Sequence, residues 1–337
     1  MKYVFRIIPG QVFLALVFAY GHQLQAVKAD IHTLVKLPPG FAVTDPHVIE
    51  WREESYTLSL YARGFKQGEA VYMEITAGSS KMPKIKKCYF QNRTVYLNAF
   101  KWGYRGFFAL PPGGKTGTCE IKLISESKGS EQQNVYTIKV SPGNFPVFHH
   151  KLDLGKYSNL SYLSRPDIAQ RIRECAKKKK EVFLNHGPDM LGPGLSHPRD
   201  MHYVTSPFWA KRYYYAYRVN KGKKIKINTG KRIHRGIDLR GEKGTPVYAI
   251  ADGWVALAEE MFYEGNLVVL DHGNRIFSYY MHQDTLAVKK GQKVRGGDLI
   301  GTVGSTGVST AAHLHVSLVI NGVQADPLSL LWLPIRN

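Results

Sequence analysis

Acidic residues and cysteines are scarce in this chain, and long apolar runs are nearly absent. Of 337 residues, 46 are lysine or arginine and only 26 are aspartate or glutamate, so the formal net charge is +20. A balance of this kind favours anionic partners. The only long apolar run lies around residues 12–20, and no later stretch is predicted to cross a bilayer.

The N-terminal segment has the pattern of an export signal. Lys2 and Arg6 precede the apolar run, and Val27-Lys28-Ala29 follows it. We therefore expect residues 1–29 to be a signal peptide cleaved near Ala29, with an uncleaved anchor as the alternative. The mature protein is then expected in the periplasm or cell envelope, or secreted, with no stable membrane span.

Three cysteines occur, Cys88, Cys119 and Cys175. Because Cys88 and Cys119 lie in strand-like runs and disulfides persist outside the cytoplasm, a bridge between these two is expected, with Cys175 left over. Buried free thiols are the alternative. No histidine lies near any of the three in a recognisable pattern, which argues against a cysteine nucleophile.

The C-terminal part of the chain holds five residues that can bind a metal or transfer a proton: His234, Asp238, His282, His313 and His315. Side chains two apart in a strand point to the same face, so the rings of the His-x-His pair are expected to share one site. Catalytic zinc usually takes three N or O ligands from the protein and leaves one position for water. These five residues suffice for such a site and leave two histidines for proton transfer.

The surrounding sequence predicts strands rather than helices. From Pro246 to Ile320, short β-rich runs alternate with Gly, Asn and Asp turns, which indicates an antiparallel β domain. Helical periodicity is absent here. The pattern therefore differs from that of zinc proteases whose two histidines lie four apart on one helix.

With these residues in this order, the chain resembles the lysostaphin-type (LytM-like) zinc metalloendopeptidases, which cut peptide cross-links of bacterial peptidoglycan. The resemblance covers about residues 206–331. It extends to the stretches Gly244–Ala249, Ala251–Gly253, Lys290–Val294, Gly301–Gly307 and Asp326–Leu328. One position departs from the family, because Trp209 follows Ser206-Pro207-Phe208 where a glycine is common.

The resemblance implies the role of each site residue. His234, Asp238 and His315 correspond to the ligands of one Zn²⁺ ion, and His282 and His313 correspond to the two catalytic histidines. The implied partners are peptidoglycan stem peptides and cross-links, and no nucleic acid is expected. Which of the two catalytic histidines acts as general base stays open, as do the residues that bind substrate.

The resemblance also implies an activity. We expect a zinc endopeptidase for cell-wall remodelling, and the predicted export signal together with the absence of Gram-positive wall-targeting repeats favours a D,D-endopeptidase acting on D-Ala–meso-diaminopimelate bonds. Two alternatives are a glycyl-glycine endopeptidase and a catalytically inactive regulator of a cell-wall amidase. The complete set of site residues argues against the regulator.

The fold is predicted to be mainly β, with the antiparallel LytM-type domain at residues 206–337. Residues 30–142 show strand-like runs at regular spacing, which suggests an immunoglobulin-like β-sandwich. Residues 143–205 are expected to form a linker with one helix. In relatives of the family a preceding segment occludes the zinc, and here Asn185, His186 or His202 is a candidate blocking ligand.

Two basic clusters are a further feature of the sequence. One is the run Lys177–Lys180, and the other lies between Lys221 and Arg232, directly after the tyrosine-rich stretch 213–217. In a cytoplasmic protein the second cluster would suggest single-stranded nucleic acid. For an exported protein we expect either a solvated hairpin rim or a groove that grips an anionic glycan and its stem peptides.

Overall fold

The computed structural model describes residues 37–127, 129–184, 187–227 and 231–336. The predicted signal peptide, residues 1–29, lies outside these ranges, as do Asn185 and His186. Strands dominate the described part, which confirms the predicted mainly β fold class. Within the same ranges, no helix combines the length and apolar character needed to span a membrane.

Two antiparallel sheets enclose the core of the N-terminal region. The first consists of β1 (His47–Arg52), β2 (Tyr56–Ala62), β3 (Ala70–Ala77), β6 (Leu97–Phe100) and β7 (Gly103–Ala109), in the order β1-β2-β3-β7-β6. The second consists of β4 (Lys84–Phe90), β5 (Arg93–Val95), β8 (Gly117–Ser127) and β9 (Ser130–Val140), in the order β5-β4-β8-β9. Side chains alternate along β8, where Ile121 and Leu123 are buried while Glu120 is exposed.

The expected disulfide between Cys88 and Cys119 is absent, and all three cysteines are buried free thiols. Strand register explains why. Cys88 lies opposite Leu123 in the β4–β8 pair, so Cys119 is four residues farther along β8. Four residues of strand span about 13 Å, whereas bridged cysteines have Cα atoms no more than about 7 Å apart.

One eight-stranded antiparallel sheet forms the C-terminal region. It consists of β11 (Val204–Ser206), β16 (Ile237–Arg240), β18 (Gly253–Met261), β19 (Gly265–Asp271), β20 (Ile276–Gln283), β21 (Lys293–Val294), β23 (His313–Ile320) and β24 (Val323–Ala325). The order is β11-β16-β23-β20-β19-β18-β21, and β24 pairs with β23. Strand β23 lies between β16 and β20, and its Leu314 and Val316 are fully buried in the core beneath the sheet.

Smaller elements flank this sheet. They are the sheet β10 (Val147–Leu152), β12 (Lys211–Tyr214) and β15 (Lys231–Ile233), the hairpin β13 (Ala216–Asn220) and β14 (Lys223–Ile227), the pair β17 (Pro246–Tyr248) and β22 (Leu299–Thr302), the helices α1 (Leu160–Leu163) and α2 (Pro166–Leu184), and 3₁₀ turns at Gly155–Ser158 and Pro327–Trp332. The segment predicted as a linker with one helix thus contains two helices and a strand. The additional strand, β10, pairs in parallel with β12.

Helix α2 continues through the lysine run because its cations have partners on the neighbouring strand. Lys178 pairs with Glu259, and Lys179 pairs with Glu264. On its apolar side, Cys175 and Val182 pack into a cluster with β18 and β19 residues. The helix is therefore held against the C-terminal sheet by both apolar and ionic contacts.

A buried ion pair connects the N-terminal sandwich to the segment after α2. Arg105 Nε lies 2.8 Å from Asp189 Oδ2, and the two side chains are only 4% and 7% exposed. Asp189 also accepts a hydrogen bond from Asn98, and the Arg105 guanidinium donates to the carbonyls of Leu191 and Arg336. These contacts leave neither charge unpaired in the interior.

We predict that Asp189→Ala destabilises the protein by about 3–5 kcal/mol, because Arg105 would keep a buried charge without its counterion. The measurement is urea unfolding followed by circular dichroism. Arg171→Ala is the matched control, since Arg171 pairs with Glu260 at 49% and 66% exposure, where a pair contributes at most about 1 kcal/mol. Equal effects of the two substitutions would contradict the interpretation.

Candidate metal centre and active site

Three ligand-type atoms converge at the end of the central strands. His234 Nε2, Asp238 Oδ1 and His315 Nδ1 are each 2.9 Å from the other two. In the described part of the chain they form the one group of at least three His, Cys, Asp or Glu residues placed to hold a metal ion. The structure thus brings together the three residues that the resemblance implies as ligands.

Strand pairing positions two of the three. Asp238 lies directly opposite His315 in the antiparallel pair β16–β23, so their side chains emerge on the same face. His234 lies between β15 and β16 and is held by backbone bonds on both sides: its N–H donates to Ala210 O, and its carbonyl accepts from Trp209 N–H, both at 2.8 Å.

Hydrogen bonds outside the cluster determine how the imidazoles face it. His234 Nδ1 lies 3.0 Å from Pro207 O, and because a carbonyl only accepts, this nitrogen carries the proton and Nε2 turns a lone pair inward. Ser206 Oγ is also near, 3.1 Å from the same Nδ1. On the opposite side, His315 Nε2 lies 2.9 Å from Ser317 Oγ. With Ser317 as acceptor, His315 Nδ1 likewise faces inward unprotonated.

Charge at the cluster favours a cation. Burial disfavours an ionised Asp238, but the contacts of its carboxylate with His234 and His315 outweigh burial and hold its pKa well below the usual range. Burial lowers the pKa of His315, which stays neutral. An ionised carboxylate and two neutral imidazoles, aimed at one point, are the donor set of a catalytic zinc site.

His282 reaches the site through an unusual backbone conformation. In the β20–β23 pair Met281 lies opposite His315, so regular alternation would place His282 on the other face of the sheet. At His282, however, φ is 63°, and this left-handed conformation brings its ring to 4.9 Å from that of His313, between ring centroids. Burial lowers the pKa of His282 to about 3, and Nδ1–H donates to Thr306 O at 2.8 Å.

His313 lies beside the cluster at its exposed side. Its Nε2 is 3.6 Å from Asp238 Oδ1, and its Nδ1–H donates to Ala311 O at 2.8 Å. His234, His282 and His313 therefore share one arrangement, in which a backbone carbonyl fixes Nδ1–H and leaves Nε2 free for chemistry. All five predicted residues lie in one site.

Sequence reasoning missed several residues that shape this site. Pro207, Ser317 and Thr306 orient the imidazoles. The stretches Ser206-Pro207-Phe208 and Gly301–Gly307 contain two of them, but nothing in the sequence pointed to their contacts with the histidines. Arg212 was also missed; its Nη2 lies 3.5 Å from Asp238 Oδ2.

Trp209 has a φ of 58°, which lies in the left-handed region. This conformation accounts for the glycine that is common at this position in the family that the sequence resembles.

The candidate blocking residue His202 lies elsewhere. Its Nδ1 is 3.2 Å from His197 Nε2, and its ring packs on Phe41 at 4.3 Å between centroids. In the described residues it contacts none of the five site residues. The other two candidates, Asn185 and His186, fall outside the described ranges.

Comparison with known proteins shows which family has a similar sequence. The profile described as peptidase family M23 matches residues 232–327, which include all five site residues. Peptidoglycan DD-endopeptidase ShyA of Vibrio cholerae is 32% identical over 341 residues, which cover 95% of this chain and 73% of that protein. The chain belongs to peptidase family M23.

Two further similarities are narrower. DD-carboxypeptidase/endopeptidase Mpg of Neisseria meningitidis is 42% identical over 99 residues, or 29% of this chain and 23% of Mpg. A solved structure described as a putative peptidase M23 from Pseudomonas aeruginosa covers 79% of this chain and 94% of its own, with a TM-score of 0.53 and 20% identity. The latter similarity concerns the fold alone.

Gly236, between His234 and Asp238, is required by close packing in this M23 site. A Cβ there would lie 2.2 Å from Val316 O and 2.6 Å from both His315 Nε2 and Ser317 Oγ.

We predict that Gly236→Ala displaces the His315 ring and lowers affinity for added Zn²⁺ at least about 10-fold, measured by competition with a chromophoric chelator. Gly113→Ala is the control, because no atom lies within 4 Å of its added Cβ; equal affinities of the two variants would refute the packing argument.

Proposed function

We propose that this protein is a zinc-dependent peptidoglycan endopeptidase that works in the cell envelope and hydrolyses D-Ala–meso-diaminopimelate cross-links. The observation that carries the proposal is the convergence of His234 Nε2, Asp238 Oδ1 and His315 Nδ1 beside two more histidines. The names of two relatives support the bond specificity, because ShyA is described as a peptidoglycan DD-endopeptidase and Mpg as a DD-carboxypeptidase/endopeptidase. The excess of basic residues agrees with an anionic polymer as substrate.

The residues present fit one zinc ion. The three converging atoms are 2.9 Å apart, so a single ion can reach all of them at about 2.0–2.1 Å, the usual Zn–N and Zn–O distance. Pro207 O and Ser317 Oγ orient the two imidazoles from outside, as carbonyls and hydroxyls commonly do at metal sites. Three protein ligands leave one position open, which is typical of catalytic rather than structural zinc.

When bound, zinc supplies a Lewis acid that polarises the scissile carbonyl and lowers the pKa of a water molecule. The two histidines that are not ligands, His282 and His313, are placed to transfer protons. His282 is buried and neutral, and its Nδ1–H is held by Thr306 O, so Nε2 is free to accept a proton. His313 is more exposed and also has a free Nε2; once this nitrogen has taken up a proton, it can donate a hydrogen bond to the developing oxyanion or the proton to the leaving amine.

We predict that the purified protein releases cross-linked muropeptides from sacculi of the meso-diaminopimelate type and not from sacculi joined by pentaglycine bridges. Chelation should abolish release, because the three ligands hold the ion that activates water, and added Zn²⁺ should restore it. The products are identified by liquid chromatography and mass spectrometry. Release that persists in chelator would refute the zinc mechanism, and cleavage confined to glycine bridges would refute the bond specificity.

We predict that substitutions separate ligands from catalytic groups. His234→Ala, Asp238→Ala and His315→Ala should lose both bound zinc and activity. His282→Ala and His313→Ala should keep zinc and lose activity by about 10²–10⁴-fold, the usual contribution of a general acid or base. Zinc is measured by mass spectrometry and activity on sacculi; His47→Ala, at an exposed position of β1, is the control. Zinc-free but active variants of the first group would overturn the assignment.

A further inference from the structure

One cationic side chain lies at the edge of the candidate metal centre. Arg212 Nη2 is 3.5 Å from Asp238 Oδ2, the carboxylate oxygen that does not join the three-atom cluster. At this distance the two groups attract each other but do not form a good hydrogen bond. In the described residues the Arg212 side chain has no hydrogen bond, and it is 20% exposed. Its N–H donors are therefore available to a ligand that enters the site.

In the described residues Asp238 is the one acidic partner of Arg212, and the guanidinium also lies 5.9 Å from the centre of the Phe148 ring. In the antiparallel pair β12–β15, Arg212 lies directly opposite Arg232, so two positive side chains share one face. Like charges in this position destabilise a sheet. Between Met201 and Ile237 the chain has ten lysines and arginines and no aspartate or glutamate. A bound anion would offset the repulsion between these positive side chains.

The proposed substrate supplies such an anion at the right place. In a D-Ala–meso-diaminopimelate cross-link, the carbon that bears the scissile nitrogen also bears a free carboxylate, two bonds from that nitrogen. In a glycine bridge the equivalent carbon bears an uncharged amide carbonyl instead of a carboxylate. A guanidinium beside the metal ligand Asp238 is placed to meet a carboxylate this close to the bond being cut, and its planar fork can bind both oxygens.

We propose that Arg212 binds the substrate carboxylate next to the scissile bond and thereby selects carboxylate-bearing cross-links, with Arg232 reinforcing the positive field. The inference rests on the proposed function and adds a specificity residue to it. A purely structural role is the competing explanation: Arg212 would only help to keep Asp238 ionised. The two explanations differ because a structural role affects all substrates alike.

The test uses the zinc-loaded full chain and two soluble cross-linked muropeptide dimers, one with the free diaminopimelate carboxylate and one with that carboxylate amidated. Wild type should prefer the free acid. Arg212→Gln should lower kcat/KM for the free acid by about 10- to 100-fold, the range for a lost hydrogen bond between charged groups, and change that for the amide by less than about 3-fold. Arg212→Lys should recover part of the loss on the free acid.

Controls separate the possible failures. Arg218→Gln, an exposed position on β13, removes the same charge from the same basic stretch and should leave the ratio between the two dimers unchanged. Zinc content is measured for every variant. Equal losses on both dimers, or loss of zinc in Arg212→Gln, would overturn the carboxylate role while leaving the endopeptidase intact. A wild type that cleaves neither dimer and no sacculi would instead overturn the proposed function itself.

Discussion

The convergence of three metal-binding atoms on one point is the constraint that the strands of the site must satisfy. An ionised carboxylate oxygen and two imidazole nitrogens lie 2.9 Å apart, an arrangement that a rigid frame must enforce and that a cation stabilises. The frame is the β16–β23 pair, whose core side is filled by Ile237, Leu239 and Leu314, all buried. Packing of the apolar face thus fixes the geometry of the polar face.

Strain and close packing accompany this frame. His282 adopts a left-handed backbone conformation that is rare for a residue other than glycine, and the contact of Gly236 with Val316 O leaves no room for a side chain. Such features persist only where surrounding structure over-determines them. At His282 that structure is the bond from its N–H to Glu264 O and the bond from its ring to Thr306 O. Helix α2 supports the same point, since Lys179 pairs with Glu264.

The sequence alone predicts how the site residues on strands are arranged, but it does not predict the positions of the other residues. Because strand alternation is strict, the spacing of His313 and His315 predicts a shared face, and the antiparallel β fold of this region is confirmed. The position of His282 depends on a single unusual φ angle that no periodicity encodes. Cys88 and Cys119 are free because of the register between two strands that are distant in sequence. The proximity of Arg212 to Asp238 depends on how two separate sheets pack against each other.

The two basic clusters, similar in sequence, have different roles in the structure. On α2, Lys177, Lys178 and Lys179 each have an acidic partner, so that cluster is largely neutralised within the protein. In the described part of the second cluster the lysines have no ion pair, although Lys224 and Lys226 lie over the rings of Tyr217 and Tyr215. The uncompensated charge is therefore concentrated on the strands that lead to His234. A field of this sign draws anionic substrates toward the candidate metal centre before any specific contact forms, and residues 201–237 alone supply half of the net charge of +20.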